Sequence, residues 1–143
     1  MASVVKRALG NYIQLWTATI PYTDLIDAAT TQAVACFTLP ANATLLGGAE
    51  VDVVTLFADA GSISAVTVQV GSSGDPDGLF TATGAFTGDT LGRLVGIYPA
   101  LVGDGLAVEA VFDATGANFG DAATTDLDAG QVVVRQMFFV APD

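Results

Sequence analysis

Histidine is absent from this chain. That removes the usual general base, the Ser-His-Asp and Cys-His arrangements, and the commonest metal ligand. Cysteine is nearly absent as well: Cys36 stands alone, so the chain can form no internal disulfide and no multi-cysteine metal site. Set among Val34, Ala35 and Phe37, it reads as a small buried hydrophobe. Positive charge is scarce. Lys6, Arg7, Arg93 and Arg135 face fifteen acidic residues, for a net charge of −11. A chain this acidic has no phosphate-neutralising patch, and nucleic acid is not an expected partner. No apolar run reaches the roughly 18 residues that would span a bilayer, so no membrane partner is expected. The Met1–Leu9 segment lacks the layout of a signal peptide, because Gly10-Asn11 follows where an apolar core would stand. No cofactor is implied by any of these residues.

What is present points to β-structure. The 143 residues are one domain's worth, long enough to bury roughly 70% of the unfolded surface. Valine and threonine are frequent, and Gly and Pro punctuate at short intervals. Strand-like runs cover Tyr12–Ile20, Gln32–Leu39, Thr44–Phe57 (two strands, or one bent at Gly47-Gly48), Ser62–Val70, Gly105–Asp113 and Gln131–Val140. Leu79–Phe86 reads as one or two short strands. Asp89–Tyr98 reads as either a strand or a helical turn. The pattern predicts an all-β antiparallel sandwich over residues 12–143, preceded by an N-terminal arm at 1–11 in which Ala2–Leu9 is unpaired or forms one helical turn.

Alternation singles out the last strand. Val132, Val134, Gln136, Phe138 and Val140 fall on one face; Val133, Arg135, Met137 and Phe139 fall on the other. Both faces are substantially apolar, and a sandwich core covers only one. The second needs a subunit, a lattice surface or a folded-back loop. Asp113–Gly130, long for an idle connection, is a candidate contact loop.

Candidate chemistry is thin. Asp75 and Asp77, with Ser72 and Ser73, offer oxygens of the kind Ca²⁺ prefers, but the closing glutamate of a calcium loop is missing. Asp75-Pro76-Asp77-Gly78 is equally an ordinary turn. Asp121, Asp126 and Asp128 pose the same choice between calcium and a solvated loop. Glu50 and Glu109 read as solvated strand charges. Tyr12, Trp16 and Tyr22 offer a sugar-stacking platform, or Trp16 packs in a core or subunit interface. No catalytic residues and no firm metal site emerge, and the chain does not read as an enzyme.

Three runs carry a family likeness. Tyr22-Thr23-Asp24-Leu25 leads to Ala29-Thr30-Thr31 and Phe37-Thr38-Leu39-Pro40-Ala41. Ser62-Ile63-Ser64-Ala65-Val66-Thr67-Val68-Gln69-Val70-Gly71 precedes Gly74-Asp75-Pro76-Asp77. Val111-Phe112-Asp113-Ala114-Thr115-Gly116-Ala117-Asn118 precedes Asp128-Ala129-Gly130-Gln131-Val132. In this order the chain, over roughly residues 12–140, resembles the cement (decoration) proteins of tailed-phage capsids. The resemblance implies a jelly-roll-like sandwich on the outer surface of the virion capsid. It implies a homo-oligomer, commonly a trimer, that bridges neighbouring major capsid proteins. Contact candidates under that reading are Lys6, Arg7, Trp16, Arg135, Met137 and Phe139. The alternative reading is a carbohydrate- or receptor-binding jelly-roll module of a phage tail or another virion part.

Overall fold

The computed structural model describes residues 2–10, 12–96, 101–102 (backbone only) and 105–140. It is all-β, with two antiparallel sheets packed face to face. The strands are β1 (Ser3–Ala8), β2 (Ile13–Pro21), β3 (Thr31–Leu39), β4 (Ala43–Leu45), β5 (Glu50–Ala58), β6 (Ala65–Ser72), β7 (Asp75–Gly84), β8 (Gly92–Val95), β9 (Leu101–Val102), β10 (Leu106–Thr115) and β11 (Ala129–Val140). Sheet I runs β1-β2-β11, with β4 and β5 lying end to end along the far edge of β11, β9 beside β4 and β8 beside β5. Sheet II runs β3-β10-β6-β7.

The pairing is nested. β2 pairs with β11, β3 with β10, β5 with β8, and β6 with β7. The chain is thus a long hairpin rolled into two sheets, which is the jelly-roll arrangement. Period-two alternation places the core between them. Ala18 and Ile20 of β2, Val132, Val134 and Phe138 of β11, and Val51 and Val53 of β5 point inward from sheet I. Leu39, Val66, Val68, Val70, Ala110 and Phe112 point inward from sheet II. Trp16 sits edge-on to both Phe37 and Phe138, at centroid separations of 6.0 and 5.0 Å, and so ties the two sheets together.

Gln136 is the polar exception on the inward face of β11. Its Nε2 donates to the Gly47 carbonyl at 3.0 Å and to the Met137 carbonyl at 2.9 Å. The first bond pins the joint between β4 and β5, which is where the Thr44–Phe57 run divides, at Gly47-Gly48.

Two expectations are corrected and one open choice is resolved. The segment read as an unpaired arm or helical turn is β1, hydrogen-bonded along the edge of β2 from Ser3↔Thr19 to Ala8↔Gln14. Its alternating Val4, Lys6 and Ala8 lie on the side of Trp16, so pairing with a partly apolar edge overrides its weak local signal. Asp75-Pro76-Asp77-Gly78 is not the turn. The hairpin closes at Ser73-Gly74, and β7 begins at Asp75. Proline is tolerated there because β7 is the edge strand of sheet II. The segment at Asp89–Tyr98 resolves as β8; its end, from Ile97 on, lies outside the described residues.

The Asp113–Gly130 stretch is no free contact loop. It folds across one end of the sandwich, where Phe119 N–H donates to the Ala29 carbonyl and Asp128 N–H to the Ala58 carbonyl. Phe119 and Leu127 are buried in the core.

Candidate functional site

The outward face of sheet I is set by register. β1 presents Val5 and Arg7, β2 presents Ile13, Leu15 and Thr17, and β11 presents Arg135, Met137 and Phe139. β5 adds Glu50 and Asp52, and β8 adds Arg93 and Val95. Strands spaced roughly 4.8 Å apart make this a broad, gently twisted surface. Its apolar side chains stand open: Val5 and Val95 are each 61% exposed and Met137 is 38% exposed. A shallow depression of about 100 Å³ is lined by Leu15, Leu46, Glu50, Val95, Arg135 and Met137. The folded-back loop that would have covered β11 therefore does not do so; that loop plugs the end of the sandwich instead.

Charge on this face is organised as a network. Arg135 Nη1 lies 2.8 Å from Glu50 Oε1 and 3.4 Å from Asp52 Oδ2, and Arg93 Nε lies 3.2 Å from the same Glu50 oxygen. The Arg135, Glu50 and Asp52 side chains are each only about a quarter exposed. Glu50 is thus not the freely solvated strand charge that alternation suggested; its strand neighbours supply two guanidinium partners. No local pattern announces this, because Glu50 and Arg135 are 85 positions apart.

The other contact candidates divide between the two sides of the sheet. Lys6 points to the inner side, its Nζ 4.1 Å from the centre of the Trp16 ring. Trp16 is buried. Arg7 lies on the outer face with no ion-pair partner among the described residues. Phe139 is half-buried and meets Tyr12 edge-on at 6.1 Å. Tyr12, Trp16 and Tyr22 do not form a common platform, since Tyr12 packs on Phe139, Trp16 on Phe37 and Phe138, and Tyr22 against the core.

The acidic candidates are engaged locally or stand apart. Asp75 and Asp77 are exposed at the start of β7, and the described residues contain no group of three or more acidic or cysteine side chains arranged to hold a metal. Asp121 accepts from the backbone N–H groups of Thr124 and Ala123 at 2.7 and 2.9 Å. Those bonds hold its carboxyl below the usual carboxylate range. Asp128 accepts from Ala60 N–H at 2.8 Å, and Asp59 from Gly61 and Ile63 N–H at 2.7 Å. These carboxylates shape turns.

Cys36 is buried as expected, its Sγ 3.7 Å from the Val34 carbonyl. Burial pushes its thiol up to about 12, so it stays protonated and unreactive.

No family model matches this sequence, and no curated protein matches it. Solved structures do. The chain is similar to a chain of the cyanophage Pam1 capsid asymmetric unit, with TM-score 0.63 and 19% identity, over 94% of this chain and 89% of that one. It is also similar to a chain of the acid-stable capsid structure of Helicobacter pylori bacteriophage KHP30, with TM-score 0.59 and 16% identity, over 98% and 94%. At these identities the likeness is one of fold, and the fold of this chain is one that chains of two phage capsids share.

Proposed function

We propose that this chain is a structural protein of a phage virion, and more narrowly a cement protein. In this reading it sits on the outer surface of the head, acts as a trimer and stabilises the shell by bridging major capsid subunits. The observation that carries the reading is the shared jelly roll, which extends over nearly the whole length of both this chain and the capsid chains it resembles.

The chemistry of the chain supports the same reading. A cement protein acts by burying surface across subunit boundaries, with several modest contacts adding through their linkage. It needs an accessible apolar face and a soluble body, and no reactive centre. Sheet I supplies the face, and the acidic remainder supplies the solubility.

The test is co-purification. Intact heads separated from tails on a density gradient should carry this protein at a fixed ratio to the major capsid protein. Light scattering of the free protein should give three times the 14.5 kDa chain mass. Absence from purified heads would overturn the cement reading. Recovery with tail structures alone would shift the assignment to the receptor-binding alternative.

A further inference from the structure

The two sheets differ in what they offer a partner. Among the described residues, every exposed large apolar side chain lies in a strand of sheet I or within one residue of one. Val5, Ile13, Leu46, Val54, Val95 and Met137 are among them. None belongs to sheet II. The outward face of sheet II is built instead from Thr31, Ala33, Ala35, Thr67, Gln69, Glu109 and Asp113, with only Val111 as a large apolar member, and that one is buried.

Charge divides along the same line. All four cations of the chain, Lys6, Arg7, Arg93 and Arg135, lie in sheet I strands. Only two carboxylates, Glu50 and Asp52, share those strands, and both are paired to arginine. Lys6 points to the inner side, so the outward face of sheet I sets Arg7, Arg93 and Arg135 against Glu50 and Asp52, a net of one positive charge. The rest of the sequence holds thirteen carboxylates and no cation.

We propose that the outward face of sheet I is the docking surface for the capsid shell, and that its partner is a flat apolar surface bordered by carboxylates. This rests on the cement reading above and adds which side of the molecule faces the shell. An apolar patch wants an apolar partner, and the exposed Arg93 and unpaired Arg7 want acids at its rim. A second copy does not fit as well. Face to face, it would set the cations of both copies against one another. Face to back, it would lay the apolar patch on the polar threonine and alanine surface of sheet II. Sheet II then faces solvent, where its acids keep the decorated particle soluble.

The experiment measures binding of the full chain to undecorated shells by co-sedimentation. It compares wild type, an Arg7→Glu/Met137→Glu variant, and an Ala33→Glu/Gln69→Glu control that places two glutamates on sheet II. All are first checked for native-like circular dichroism and melting. The sheet I variant is expected to lose at least about tenfold in affinity, and the control to stay within about twofold of wild type. Wild-type affinity is expected to fall as salt is raised. The proposal is overturned if the folded sheet I variant binds like wild type, or if the control is the one that fails. It is also overturned if the sheet I variant changes only the self-association seen by light scattering and leaves shell occupancy intact. Wild type that does not bind shells at all removes the cement reading itself, a result distinct from any of these.

Discussion

Arg135 stands between two carboxylates on a strand that is otherwise mostly apolar, and its value is clearest in what its loss leaves behind. Arg135→Ala strands Glu50 and Asp52, each about a quarter exposed, with only Arg93 nearby. The expected cost is about 2 kcal/mol, read as a lower midpoint in urea with an unchanged slope. The quarter of each side chain that stays exposed retains some solvation, which keeps the figure below the cost of breaking a fully buried pair. Cys36 gives a pH signature. Its thiol ionises near 9.0 when unfolded and near 12 when folded. Between those values the unfolded state binds fewer protons than the native state. The contribution is therefore fully present below pH 9 and is lost as pH rises toward 12, at about 1.4 kcal/mol per pH unit within that window. Denaturation midpoints from pH 8 to 11 should show this alkaline decline in wild type and a shallower one in Cys36→Ala. An identical slope in the two proteins would refute the assignment.

At the scale of elements, the bulge at the start of β11 is an unforgiving point. Gly130 adopts φ +141, and a Cβ there would drive into the Phe57 ring, itself fully buried. Gly130→Ala should cost about 3 kcal/mol, from left-handed strain and overpacking together, and melting curves would show it. How far the sequence announces these elements depends on where the deciding force lies. Strands β2, β3, β5, β6, β10 and β11 were legible because alternation of Val, Ile and Phe with polar residues is a local signal of a half-buried strand. β1 was not, because SVVKRA has no strong pattern of its own and becomes a strand by pairing with β2. The start of β7 was hidden by turn-like chemistry, Asp-Pro-Asp-Gly, that an edge position tolerates. The candidate surface was half legible. Doubly apolar β11 pointed to an uncovered face and named Arg135, Met137 and Phe139. The partners of Arg135 on β5 and β8, and the presence of Val95 beside Met137, follow from strand order, which no local pattern encodes.

For the whole molecule, the separation of apolar and acidic surfaces predicts a sharp dependence on net charge. The sequence pI is about 4.1, and near that pH the repulsion that keeps copies apart vanishes while the apolar face of sheet I remains. Light scattering should rise steeply as pH falls to about 4 and recover on return to neutrality; a flat profile would count against the two-sided surface. The nested pairing has a separate consequence, for biosynthesis. Sheet I cannot be completed before its central strand exists, because residues 13–21 wait for 131–139. A nascent chain emerging from the ribosome holds β2 without its inner partner until the last dozen or so described residues appear. Contacts of such sequence separation are slow to form. The surface assigned to docking is therefore assembled last, and a partly synthesised chain has no completed face with which to engage a shell. Under the docking proposal, translation order then acts as a quality check: a chain that stops short of β11 has no face to offer a shell.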